Sequence, residues 1–157
     1  MKHYTLMVVS LFIIMSIVLA GCQQPAVTPT EEPPVPAGVM SSIEGFSEAS
    51  TTYDTESMRS YLTDDFTWQS TGPVKTLDEY LAYVDANWER AQLRFEATGE
   101  PVIHLEGDTY VVEKPGLVTA VNLELAGTTV YRIVEVDDIW LINEIHWVDD
   151  PTSESTD

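Results

Sequence analysis

Two side chains near the C-terminal end could do chemistry together. Glu144 and His146 stand two residues apart in the run Ile139-Trp140-Leu141-Ile142-Asn143-Glu144-Ile145-His146-Trp147-Val148. Such a run reads as a strand, where residues i and i+2 share a face. Strict alternation puts Trp140, Ile142, Glu144, His146 and Val148 on one face and Leu141, Asn143, Ile145 and Trp147 on the other. A carboxylate beside an imidazole can raise its pKa and fix its tautomer. In a pocket, the pair could act as a general base or orient a ligand; elsewhere it simply hydrogen-bonds to the sheet and its neighbours.

Arg132 lies between Tyr131 and Ile133 and shares a strand face with Val130, Val134 and Val136. A charge in an apolar row needs a partner, for which Glu124, Glu135 and Glu144 are candidates, or else a pocket anion. His104 alternates with Ile103 and Leu105 and reads as a surface or rim residue. With His146 and a carboxylate it could in principle hold zinc, but no short metal-ligand spacing is present, and neither metal nor cofactor is expected. Trp68, Trp88, Tyr80, Tyr110 and Tyr131 either line a pocket for an apolar or ring-shaped ligand or fill a core. The candidate ligand contacts are therefore Trp68, Trp88, Tyr131, Arg132, Glu144 and His146, with no firm catalytic set. Asp54, Asp64 and Asp65 lie at element boundaries, where capping is the expected role. The sequence contains no Gly-rich phosphate loop, no Gly-x-Ser-x-Gly elbow and no metalloprotease His pair.

The chain of 157 residues carries 26 acidic and 7 basic side chains, a net charge of −19. Its length allows one domain plus a tail. A basic nucleic-acid footprint is absent, as is a polybasic grip on anionic lipid. The acids are dispersed over turns, tether, tail and helix faces, which means a self-repelling, soluble surface. That surface disfavours a strongly anionic ligand unless Arg132 or Arg59 lies in the pocket. A single Cys excludes an internal disulfide and a Cys-based zinc site.

That Cys has another use. Residues 6–19 are almost wholly apolar after Lys2 and His3, a run too short to span a bilayer comfortably. It ends in Leu19-Ala20-Gly21-Cys22, which resembles the lipobox of prokaryotic lipoproteins at all four positions. The resemblance implies a signal peptide over residues 1–21, cleavage before Cys22, lipid on its thiol and acylation of the new N-terminus. Stable anchoring needs at least two acyl chains, as such lipoproteins carry. The expected location is the cell membrane, facing outside the cytoplasm. In a Gram-negative host, Gln23 lacks the Asp that retains lipoproteins in the inner membrane and leaves the outer membrane open.

Residues 22–38 then read as the lipidated Cys and a Pro-rich tether holding five of the nine prolines. A domain is expected over 39–148 and an acidic tail over 149–157. Apolar spacing predicts helices over 39–52, from Asp54 or Thr55 to Leu62, and from Thr76, where Thr76 and Glu79 form a capping box. The last helix should bury Leu77, Tyr80, Leu81, Val84 and Trp88. Strands are expected over 66–70, 93–98, 101–106, 109–113, 117–125, 128–136 and 139–148. Gly72-Pro73, Gly99, Gly107-Asp108, Pro115-Gly116, Ala126-Gly127 and Asp137-Asp138 mark the turns. The order implies an α+β domain: an antiparallel meander with helices on one face.

Three stretches resemble the SnoaL-like, ketosteroid-isomerase-like superfamily, also called nuclear-transport-factor-two-like. They are Tyr61-Leu62-Thr63-Asp64-Asp65-Phe66-Thr67-Trp68, Lys75-Thr76-Leu77-Asp78-Glu79-Tyr80-Leu81 and Trp140-Leu141-Ile142-Asn143-Glu144-Ile145-His146-Trp147. The resemblance implies a curved antiparallel sheet wrapped around two or three N-terminal helices, a cone with an internal pocket. It also implies dimers through the outer face of the sheet. Many members place Ser where Val148 stands, and the family's Asp base with its Tyr and protonated Asp oxyanion hole is not evident here. The expected role is a lipoprotein domain binding a small apolar molecule or a protein partner. The alternative is an isomerase, lyase or hydrolase with Glu144 or His146 as base.

Overall fold

The computed structural model describes residues 34–70 and 72–150. The signal segment, Cys22, most of the tether and the tail beyond residue 150 lie outside the described residues. Every described element belongs to one compact unit, Val35–Asp157.

Three helices form where apolar spacing and caps coincide. Helix α1 (Ala37–Thr51) starts two residues before the expected position, directly after Pro36. Proline suits a helix start, because its missing N–H and fixed φ cost nothing there. The helix buries Val39, Ile43, Phe46 and Ala49. Gly38 lies against the Trp140 indole, where any Cβ would collide. Ser42 Oγ reaches the carbonyls of Gly38 and Trp140, tying α1 to the last strand. Helix α2 (Thr55–Arg59) is capped by Asp54, whose Oδ1 accepts from Ser57 N at 3.0 Å. Helix α3 (Leu77–Ala91) starts with the capping box: Thr76 N donates to Glu79 Oε2 at 3.0 Å. It ends at Gln92, which takes the left-handed conformation (φ 53°). The five residues expected on its inner stripe are all buried.

Seven strands follow: β1 (Leu62–Gln69), β2 (Lys75–Thr76), β3 (Arg94–Ala97), β4 (Val102–Glu106), β5 (Thr109–Ala120), β6 (Leu123–Val136) and β7 (Ile139–Asp149). They make one sheet in the order β2-β1-β7-β6-β5-β3, with β4 also paired to β5. The α+β class with a curved, unclosed sheet and N-terminal helices is as expected. An antiparallel meander runs from β4 to β7, but β1 joins β7 in parallel, which is a departure from a pure meander.

Two expected punctuation marks are not turns. Pro115-Gly116 and Ala126-Gly127 lie inside β5 and β6, with Gly116 opposite Gly127 and Pro115 opposite Thr128. The long hairpin turns instead at Val121-Asn122, where Asn122 adopts φ 62°. Asn tolerates that region better than most residues. Pro115 breaks nothing, because its carbonyl still accepts from Thr98 N at 3.0 Å. Similarly, Asp64 and Asp65 do not lie at an element boundary as caps but sit exposed within β1, where the β1–β7 register shifts between Leu62 and Thr67.

The core lies between the helices and the inner face of the sheet. Tyr80, Phe66, Ile43, Met58, Ile133 and Ile142 are its largest fully buried side chains. The core, the helices that cover it and the whole sheet lie within residues 37–149, so the chain from residue 35 carries the complete described fold.

Candidate functional site

Glu144 and His146 do come together: His146 Nδ1 lies 3.4 Å from Glu144 Oε1. Their place is not the one strict alternation gives. Ile133 pairs with Ile142, but Arg132 pairs with Glu144, so Asn143 is an extra residue in β7. A β-bulge of this kind reverses the facing of everything beyond it. Trp140 and Ile142 face the core, and after the bulge so do Ile145 and Trp147. Glu144 and His146 therefore share the outer face, opposite Trp140 and Ile142, which corrects the expected parity. Asn143 Nδ2 secures the bulge by donating to Asp65 Oδ1 at 3.0 Å and Thr63 Oγ1 at 3.2 Å on β1.

Arg132 joins them outside. Its NH1 donates to Glu106 Oε2 at 2.8 Å, and its Nε lies 3.4 Å from Glu144 Oε2. Glu106 also meets His104 Nε2 at 3.1 Å. The result is a row across the outer face: His104, Glu106, Arg132, Glu144, His146. Arg132 and then His104 hold the Glu106 carboxyl below its ordinary range, and Glu106 holds the Arg132 guanidinium above its own. Of the three expected partners of Arg132, Glu144 is found and Glu124 and Glu135 are not; Glu106 is a partner that the sequence reading missed. His104 and His146 end up at opposite ends of the row. Among the described residues, no group of three or more His, Cys, Asp and Glu could hold a metal ion.

The inner face tells a different story. Between the helices and β1, β3, β5, β6 and β7 lies a cavity of about 490 Å³. Of the candidate ligand contacts, Trp68, Trp88 and Tyr131 are in its lining, while Arg132, Glu144 and His146 are not. Tyr110 is elsewhere in the core, edge-on to Trp140 at 5.4 Å. One wall is a ladder of rings. Phe95 meets Trp88 at 5.4 Å, Trp88 meets Tyr80 at 5.9 Å, Tyr80 meets Trp68 at 5.5 Å, and Trp68 stacks on Tyr83 at 5.5 Å. Lys75 Nζ caps the end of the ladder, 5.6 Å from Trp68 and 5.3 Å from Tyr83, within cation–π range. Trp88 Nε1 is buried with no hydrogen-bond partner among the described residues.

The facing wall is mixed. Unbroken β5–β6 pairing puts Tyr110, Val112, Lys114, Gly116 and Val118 of β5 on the inner face. On β6, Leu123, Leu125, Thr129 and Tyr131 face inward with them. Burial pushes the Tyr131 hydroxyl up to about 12, partly offset by hydrogen bonds to Ser47 and Thr129. Burial also raises the Tyr80 phenol well above its usual value. Both phenols are neutral at physiological pH and can act only as hydrogen-bonding groups. Lys114, Thr129, Ser47, Phe95, Tyr83 and Trp147 are lining residues that the sequence reading missed. The signal for Lys114 was its parity with Tyr110 and Val112, hidden by reading Pro115-Gly116 as the end of the strand.

No protein-family profile matches the chain, and no curated protein matches it. Solved structures do. A protein of unknown function from Mycobacterium tuberculosis superposes with a TM-score of 0.62 at 18% identity, over 74% of this chain and 72% of that one. An NTF2-like protein from Cytophaga hutchinsonii gives 0.62 at 17%, over 71% and 95%. A protein from Shewanella frigidimarina, named as a candidate ketosteroid isomerase, gives 0.58 at 14%, over 71% and 95%. The fold is NTF2-like. At these identities the likeness fixes the fold of the NTF2-like domain and leaves its activity to its own side chains.

Proposed function

We propose that this chain is a membrane-anchored, extracytoplasmic lipoprotein whose NTF2-like domain binds a small, largely apolar molecule. The observation that carries the binding role is the cavity of about 490 Å³ walled by Trp68, Trp88, Tyr131 and their ring neighbours. Its volume falls within the usual range for small-molecule sites, which are mostly apolar with a few placed polar groups. The general-base alternative loses its motivation, because Glu144 and His146 stand on the outer face. The anchor rests on the lipobox Leu19-Ala20-Gly21-Cys22 and the tether. No helix among the described residues is long and apolar enough to cross a membrane.

Two experiments test the two halves of this reading. Native mass spectrometry of residues 35–157 purified from the native host should show a co-purified small molecule, lost on denaturation. A clean apo species that also shows no thermal shift across a library of apolar metabolites refutes the binding role. Cys22→Ser should move the full chain from the membrane to the soluble fraction, and unchanged fractionation refutes the anchor.

A further inference from the structure

We propose that the cavity selects an amphiphile with one anionic head, a single-chain carboxylate, and that Lys114 is the residue that reads the charge. The inference rests on the cavity being a binding site and adds the chemical class of its occupant.

Lys114 is half-buried on the inner face of β5, directly across from Thr129. Among the described residues it forms no ion pair or side-chain hydrogen bond, in a chain with 26 carboxylate side chains. The other cations nearby are accounted for differently. Arg59 pairs with Asp78, and Arg132 pairs with Glu106 and Glu144. Lys75 lies over the Trp68 and Tyr83 rings. Arg94 and Glu96 alternate with Phe95 and Ala97 on β3 and border the cavity as an exposed cation and an exposed carboxylate, whereas Lys114 is half-buried. Glu48 is at the rim of the cavity and exposed.

Hydroxyls line the cavity along with Lys114. Thr129 and Ser47 lie beside the Tyr131 hydroxyl and partly offset the upward push of burial on it. Lys114, Thr129 and Ser47 share the lining with the ladder of rings from Phe95 to Tyr83. A bound carboxylate would give the half-buried Lys114 the charge-assisted partner it lacks among the described residues. A chain or ring attached to that carboxylate would lie along the aromatic wall, where burial is favourable. The cavity thus sets a few polar groups in a mixed wall beside an aromatic one, and a fatty-acid-like molecule carries both characters. Neither Arg132 nor Arg59, the two cations the sequence suggested for an anion, is in the lining.

The test uses residues 35–157, which carry the complete described fold, and two probes of equal chain length, decanoate and decanol, both below their aggregation limits. Quenching or shift of the tryptophan emission reports binding, since Trp68, Trp88 and Trp147 line the cavity. Decanoate should bind about ten- to a hundredfold more tightly than decanol, the range of one charge-assisted hydrogen bond. Lys114→Met should abolish that preference, bringing the decanoate and decanol affinities to within about twofold of each other, and Lys114→Arg should keep most of it. Equal binding of both probes to the unaltered domain, or a preference that survives Lys114→Met, overturns the role of Lys114 while the binding cavity stands. Failure of both probes to bind overturns this inference together with the binding role.

Discussion

Gly127 pairs with Gly116 across β5 and β6, and one methyl group measures how closely the chain packs there. A Cβ built on Gly127 would collide with the Val148 carbonyl and lie 2.5 Å from Trp147 Cζ2 and 2.8 Å from Cε2. Neither neighbour can yield cheaply. The Val148 carbonyl belongs to the paired backbone of β7, and the Trp147 indole is held by its Nε1 donating to Asp149 Oδ1 at 2.7 Å. Glycine in a strand ordinarily costs stability, and alanine would gain back up to about 1 kcal/mol. Overpacking costs about 1–3 kcal/mol or more, and here it works against backbone. We expect Gly127→Ala to destabilise the domain by about 1–3 kcal/mol, lowering Tm by roughly 4–12 °C for a domain of this size. Gly72 is the control. Nothing lies within 4 Å of its built Cβ, so Gly72→Ala meets no clash and should change stability by less than about 1 kcal/mol. Urea and thermal unfolding followed by circular dichroism would measure both, with tryptophan emission reporting displacement of Trp147. A Gly127→Ala variant as stable as the unaltered domain, with unchanged emission, would refute the packing argument.

Other substitutions test separate parts of the structure. Tyr131→Phe deletes the hydroxyl of a buried ring beside Ser47 and Thr129 and should cost about 1–3 kcal/mol, read as a lower urea midpoint with unchanged m-value; an unchanged midpoint shows that the hydroxyl adds nothing to folding. Asp54→Ala removes the α2 cap and should cost about 1 kcal/mol by the same measurement, with Asp54→Asn recovering most of it. Hydrogen bonds from Thr76 depress the Glu79 carboxyl below 4.5, so its contribution is present above that pH and fades as pH falls through the folded value. The stability difference between the unaltered chain and Glu79→Gln should therefore be constant above about pH 5 and shrink toward pH 3; a difference that grows on acidification contradicts the capping box.

Local chemistry made the helices legible. Thr76 and Glu79 announced α3, Asp54 announced α2, and the stripe from Leu77 to Trp88 named the face that packs. Those signals act within one or two turns, where the sequence is the whole environment. The sheet was legible in its strands and less so in their joints. Pro115-Gly116 carries the composition of a turn, yet β3 and β6 on either side of β5 hold it extended. The cavity followed the same division. Trp68, Trp88 and Tyr131 could be read from their size and spacing. Glu144 and His146 could be read as neighbours, but their side of the sheet depends on one extra residue. Asn143 becomes a bulge because Thr63 and Asp65, some eighty positions earlier, are there to receive its amide.

The strand order would matter if the proposed anchor holds the domain at a membrane surface. The two ends of the sheet are β2, two residues long, and β3, four residues long with Arg94 and Glu96 in it. β4, which also borders the sheet, is five residues and carries His104 and Glu106. If copies of this domain are tethered to one bilayer, they meet far more often than in free solution, and a long apolar edge would invite strand pairing between them. Short, charged edges offer little backbone to recruit a neighbour's strand. The same brevity that makes these strands minor parts of the fold would let many copies share a crowded membrane without polymerising.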